Sequence, residues 1–172
     1  MKPRKNYTTH ISTLLVALQA TDGLVIELGG GQASTPFLHW VCKASKRKLI
    51  SYENHPEYYE YERTFQSPLH RIRWVDDWDS VPVQEAGVVF VDHHPSERRS
   101  VEAIRFKDHA DLIVIHDTER EGKKYADPEM WKHFKYQYTY KDTRPWTSIV
   151  SNKIDVTNFD KNYENIAKKH AI

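Results

Sequence analysis

The sequence predicts an α/β protein built on a doubly wound, mostly parallel sheet with an antiparallel hairpin at its C-terminal end. Short runs rich in Val, Ile and Leu alternate along the chain with stretches of helical periodicity. Several of these runs end in Gly, Asp, Glu or His, at the sheet edge where such folds bind ligands. Two Tyr- and Ile/Val-containing runs then follow each other closely enough to pair antiparallel.

The first element lies in MKPRKNYTTHISTLLVALQA, whose positive end and short apolar run resemble a signal peptide. His10, Ser12 and Thr13 interrupt that run, and Ile11, Leu14, Leu15 and Leu18 fall on one face of an amphipathic helix. GLVIELGGG supplies a buried strand over residues 24–28 that ends in glycines. Thr35 can cap a helix starting at Pro36, with Phe37, Trp40, Val41 and Ala44 at helical spacing. KLISYEN is the second strand; Asn54 can cap the next helix, with Pro56 in its first turn and Tyr58, Tyr61 and Phe65 on one face. HRIRWVDD alternates as a third strand nearer an edge, and GVVFVDHH reads as a fully buried fourth. SERRSVEAIRF is a helix and ADLIVIHDTE the fifth strand. DTEREGKKYADPEM, with Gly122, suits either a loop over the end of that strand or a plain surface connection, and Asp127-Pro128 opens a short helix with Trp131 and Phe134. FKYQYTYKD and TSIVSNKIDV, joined by TRPW, form the hairpin.

Bulk properties narrow the function. A length of 172 residues suits a single domain over 1–172. With 25 Lys and Arg against 24 Asp and Glu, there is no global bias toward nucleic acid or an anionic membrane. Cys42 is the one cysteine, which excludes an internal disulfide and a multi-cysteine zinc site and fits a reducing compartment. No apolar stretch approaches the roughly 20 residues needed to span a bilayer, so the expectation is a soluble, cytoplasmic protein.

The glycine turn and its acids carry the chemistry. Gly29 and Gly31 follow the first strand, where a ligand can approach the backbone. Glu27 stands before the turn, and Glu53, ending the second strand, can accept hydrogen bonds from both hydroxyls of a ribose. Ser34 stands where a dinucleotide fingerprint needs its last glycine or alanine. From about residue 10 to 155 the chain resembles class I S-adenosylmethionine-dependent methyltransferases: Glu27-Leu28-Gly29-Gly30-Gly31 is similar to their first motif and Glu53 to their ribose-binding acid, with Ala33 in place of a frequent third glycine. The resemblance implies a Rossmann-like methyltransferase fold with S-adenosylmethionine as cofactor. It assigns the adenine amino group to Asp76 or Asp77, where a solvated acidic turn is the alternative reading.

Asp92-His93-His94 resembles the triplet of manganese phosphoesterases of the DHH family. That family needs further metal-binding aspartates on earlier strands, whereas the first strand here ends in Glu27 and glycines, and no second glycine-rich domain follows residue 120. In the methyltransferase reading, Asp92 and His93 at the end of strand four face cofactor and substrate. The His116-Asp117 ending of strand five resembles that of a set of small bacterial methyltransferases. Asp92 also counts among the cofactor-binding residues, and Asp92, His93 and His116 are the catalytic candidates, with His94 as a further possible base because neutral imidazole accepts a proton near neutral pH. The resemblance to metal-assisted O-methyltransferases implies Asp92 and Asp117 as ligands of Mg²⁺ or Mn²⁺. Arg98 and Arg99 read either as a solvent-facing first turn or as a grip on an anionic acceptor. The expected activity is O-methyl transfer to a small-molecule acceptor, with room for a lid from a second subunit of a homo-oligomer. A non-catalytic partner that keeps the fold is the alternative.

Overall fold

The computed structural model describes residues 8–119 and 128–159, and its seven strands form one sheet. Strands β1 (Val25–Leu28), β2 (Leu49–Glu53), β3 (His70–Trp74), β4 (Ala86–Val91) and β5 (Ala110–His116) pair in parallel. β6 (Tyr136–Tyr140) and β7 (Thr147–Ser151) form the C-terminal hairpin, with β7 antiparallel to β5. The order is β3-β2-β1-β4-β5-β7-β6. The chain thus starts mid-sheet, winds out to β3 and returns to lay β4 beside β1. This puts the switch point, where ligands bind in such sheets, between β1 and β4.

The central strands are apolar on both faces because both faces are covered. Val25, Val88, Phe90, Leu112, Val114 and Ile149 pack beneath Leu14, Ala17 and Leu18 of α1 (Ile11–Gln19) and Leu38 and Cys42 of α2 (Ser34–Ala44). Ile26, Leu28, Val89, Val91, Ile113 and Ile115 face Ala103 and Phe106 of α4 (Arg99–Phe106), together with Trp78, Met130 and Phe134. The remaining helix, α3 (Pro56–Glu62), connects β2 to β3. No helix among the described residues is long and apolar enough to cross a membrane.

Details of three helices depart from the sequence expectation. In α1, Leu15 is 36% exposed, and the buried face runs through Leu14, Ala17 and Leu18. In α2, Trp40 is 59% exposed while Leu38, His39 and Cys42 are buried. Thr35 is not the N-cap, because Ala33 holds that place and the Thr35 hydroxyl is engaged with Glu27 on β1. In α3 the N-cap is His55, since the Asn54 amide donates to the His94 carbonyl at 2.8 Å. Met130–His133 form a short 3-10 turn that carries Trp131, whereas Asp127 lies outside the described residues, as does most of the expected polar loop with Gly122.

Arg47, just before β2, was not singled out by the sequence. Its buried guanidinium donates to the carbonyls of Leu18, Thr21, Asp22 and Gly23 and so fixes the turn that delivers the chain from α1 into β1.

Candidate functional site

The turn after β1 is glycine-rich for steric reasons. Gly29 has φ +81°, and a Cβ there would fall 2.3 Å from the His93 Cα, because the chain leaving β4 crosses directly behind the turn. At Gly30 a Cβ would meet Glu62 Oε1 at 2.1 Å and Thr35 Oγ1 at 2.6 Å. Gly31 differs: nothing lies nearer than Ser34 Oγ at 3.9 Å, so its backbone is accessible to a ligand.

Beneath the turn lies a buried polar network. Glu27 is fully buried on β1, and its carboxyl accepts hydrogen bonds from Thr35 Oγ1 at 3.1 Å and from the Ser51 hydroxyl. Burial pushes the Glu27 carboxyl up to about 7, against the pull of the Ser51, Ser34 and Thr35 hydroxyls. Ser51 also meets His70 Nε2 at 2.8 Å, and His70 Nδ1 lies 3.1 Å from His39 Nδ1. Glu53 accepts the backbone N–H groups of Gly30, Asn54 and His55 at 3.0, 2.8 and 2.6 Å. Burial raises its pKa while these donors lower it. Three of a carboxylate's roughly four acceptor positions are thereby filled, which fixes its orientation. The one buried residue of α3 is Glu62, which burial and the nearby Glu27 and Glu53 push up to about 10, so it is held as a neutral acid.

At the switch point, His10, Gly30, Gly31, Gln32, Ala33, Ser34, Tyr58, Asp92, His116, Asp117 and Pro145 line a cleft of about 320 Å³. It joins the glycine turn to the ends of β4 and β5. Burial pushes the Asp92 carboxyl up to about 7, with Arg99 pulling it down and Asp117 adding to the rise. His116 Nδ1 lies 3.1 Å from Thr147 Oγ1 of β7, and burial lowers this imidazole to about 4. Asp117 adopts φ +60°, a conformation costing about 1 kcal/mol outside glycine but eased for Asp.

The predicted site residues divide. Gly31, Asp92, His116 and Asp117 share the cleft, with Glu27, Gly29 and Glu53 beneath or behind the turn. His93 is outside the cleft lining: its ring is buried and stacks on Trp78 with centroids 4.2 Å apart. His94 is exposed, and its carbonyl accepts from Trp78 Nε1. Asp76 and Asp77 are exposed and also outside the lining. Asp76 accepts from Trp74 Nε1, while Asp77 caps a 3-10 turn through the Asp79 N–H.

The expected Asp92–Asp117 metal pair is spanned by a cation. Arg99, 6% exposed, approaches Asp92 Oδ1 at 3.0 Å and Asp117 Oδ2 at 2.8 Å. It also donates to the carbonyls of Asp92, His93 and His116. A guanidinium between two carboxylates occupies the place of a shared Mg²⁺ or Mn²⁺, so these acids do not fit that pairing. Neither arginine reading survives at Arg99, which faces inward and is committed to protein groups, while Arg98 pairs with Asp79 and Glu102. The sequence reading also passed over His10, which it used only to break an apolar run. Its spacing to Leu14, Ala17 and Leu18 places it on the buried face of α1, and that spacing was the available signal.

Comparison with known proteins bears on the fold. No protein-family model matches the sequence, and no curated protein matches it. Solved structures do. Human methyltransferase-like protein 13, in complex with SAH, superposes with a TM-score of 0.64 at 13% identity, over 93% of this chain and 91% of that one. The fold is that of the class I methyltransferases. A methyltransferase from Pyrococcus furiosus gives a TM-score of 0.58 at 17% identity, covering 90% of this chain and 88% of its own. The O-methyltransferase TomG from Streptomyces achromogenes, in complex with SAM, gives 0.55 at 13% identity, with 85% and 79% covered.

Proposed function

We propose that the protein is an S-adenosylmethionine-dependent methyltransferase acting on a hydroxyl of a small-molecule acceptor. The observation that carries this reading is the cleft at the switch point, which places the accessible Gly31 backbone beside Asp92 and His116 in a methyltransferase fold. S-adenosylmethionine would be held at the glycine turn by the accessible Gly31 backbone, with Glu53, which accepts the Gly30 N–H beneath that turn, as the acid for its ribose. When bound, it would supply an electrophilic sulfonium methyl to the cleft that Asp92 and His116 line. Bond formation from an acceptor hydroxyl oxygen to that methyl would break its C–S bond and release S-adenosylhomocysteine, while the hydroxyl proton would pass to the neutral His116 imidazole in the cleft. For such a displacement the protein's main contributions are alignment and exclusion of water. Arg99 fixes Asp92 and Asp117, and Thr147 orients His116, so the acceptor side is set before the acceptor arrives.

Calorimetric titration with S-adenosylhomocysteine tests the reading. One site per chain is expected, and Glu53→Gln should weaken it about tenfold or more, the scale of one hydrogen bond to a charged group. Absence of binding by the unaltered protein overturns the proposal. Binding without methyl transfer to a broad panel of hydroxyl acceptors would leave a non-catalytic cofactor-binding protein.

A further inference from the structure

The cleft holds a set of three donors, of which the methyl-transfer reading uses Asp92 and His116 but leaves His10 without a role. Among the described residues, His10, Asp92 and His116 each offer one ligand atom, and these three atoms lie within 4.8 Å of one another. His10 is 3% exposed, and neither of its ring nitrogens has a hydrogen-bond partner. A buried imidazole carries one donor and one acceptor, and leaving both without a partner is destabilising. Its other neighbours are rings: Phe90, with centroids 5.0 Å apart, and His116 edge-on at 4.8 Å.

We propose that His10, Asp92 and His116 form a binding site for one first-row transition-metal dication of the Zn²⁺, Co²⁺ or Fe²⁺ class. Two imidazoles and one carboxylate suit these borderline ions, whereas Mg²⁺ prefers an all-oxygen shell. The supporting contacts are in place. Thr147 Oγ1 holds His116 Nδ1 and so leaves Nε2 for the ion, 3.5 Å from Asp117 Oδ1. Arg99 holds Asp92 Oδ1, leaving Oδ2 as the donor. Partners of this kind fix ligand orientation at metal sites. Donors on one tetrahedral ion stand roughly 3.3 Å apart, so the widest of the three separations, within 4.8 Å, closes by up to about 1.5 Å as the ion binds.

Three protein ligands would leave coordination positions toward the cleft, whose lining includes Gly30, Gly31 and Pro145. An oxygen-bearing acceptor bound there would have its reacting oxygen on the ion. This link to the acceptor rests on the methyltransferase reading, whereas the metal site does not.

The test titrates chelator-treated protein with Zn²⁺, Co²⁺ and Mg²⁺ in the absence of cofactor, following heat and the visible Co²⁺ absorption. The expected result is one Zn²⁺ or Co²⁺ per chain, no comparable Mg²⁺ binding, and Co²⁺ bands of a nitrogen–oxygen site. His10→Phe and His116→Ala should each weaken binding by about 100-fold or more, beyond the effect of losing a supporting contact. Because His10→Phe replaces an unsatisfied ring with an apolar one, its metal-free thermal midpoint should equal or exceed that of the unaltered protein, separating ligand loss from misfolding. Failure of the unaltered protein to bind Zn²⁺ and Co²⁺, or unchanged affinity in folded His10→Phe, overturns the site. Mg²⁺ binding lost in Asp117→Asn would instead restore the carboxylate pair. Cofactor titration is a separate measurement, so either proposal can fail alone.

Discussion

Gly29 and Gly31 both belong to a glycine run after a strand, yet the fold uses them differently. Gly29→Ala must place a Cβ against His93 at positive φ, and urea denaturation should show a loss of about 2 kcal/mol or more. Gly31→Ala should leave stability within about 0.5 kcal/mol but weaken S-adenosylhomocysteine binding, since its Cβ enters the cleft. Glu62 makes a second test. Its pKa is about 10 when folded, above the ordinary 4.5, so its contribution is full below pH 4.5 and is lost as pH rises toward 10. Unaltered protein should therefore lose stability relative to Glu62→Gln across that window, by up to about 1.4 kcal/mol per pH unit, read as thermal midpoints. Glu27 on β1 and Glu53 on β2 are the charged groups that face it. The sequence made Glu27 and Glu53 legible because both end strands. Glu62 was hidden because Tyr58, Tyr61 and Phe65 marked another face of the helix for packing, whereas those three are only half-buried and Glu62 is the residue that faces inward.

At the level of elements, Arg99 joins the ends of β4 and β5 from the first turn of α4. Lysine has neither the planar fork nor the reach to serve three carbonyls and two carboxylates. Arg99→Lys should cost roughly 3–5 kcal/mol in chemical denaturation, as when a buried pair loses one partner. The helices show how far periodicity can be read. Their existence and order followed from spacing, but α2 was rotated, because Trp40 looked like a core residue and Thr35 like a cap. Thr35 instead turns inward to Glu27, which points Leu38 and Cys42 at the sheet. Leu38→Ala should accordingly cost about 2–5 kcal/mol, while Trp40→Gln should change stability by no more than about 0.5 kcal/mol, against the order that side-chain size suggests.

For the whole molecule, the doubly wound class and the closing antiparallel pair were the most legible features, whereas the strand order was not read from the sequence. Five apolar runs separated by helical segments leave few topologies once crossovers are right-handed, and the closely spaced last pair had to be antiparallel. The cleft was less legible because its walls come from His10, the β1 turn, β4, β5 and Pro145, which no local spacing connects. The insertion of β7 between β5 and β6 also bears on synthesis. A ribosome delivers β1 to β5 first, and until Thr147–Ser151 emerge, the β5 edge that β7 will cover has no strand to pair with. Such an edge is a template for association with other chains. A chain ending at Asp142 should therefore scatter light in aggregates under conditions where the full chain stays clear, which makes the last-made hairpin the step that closes the growing sheet to its neighbours.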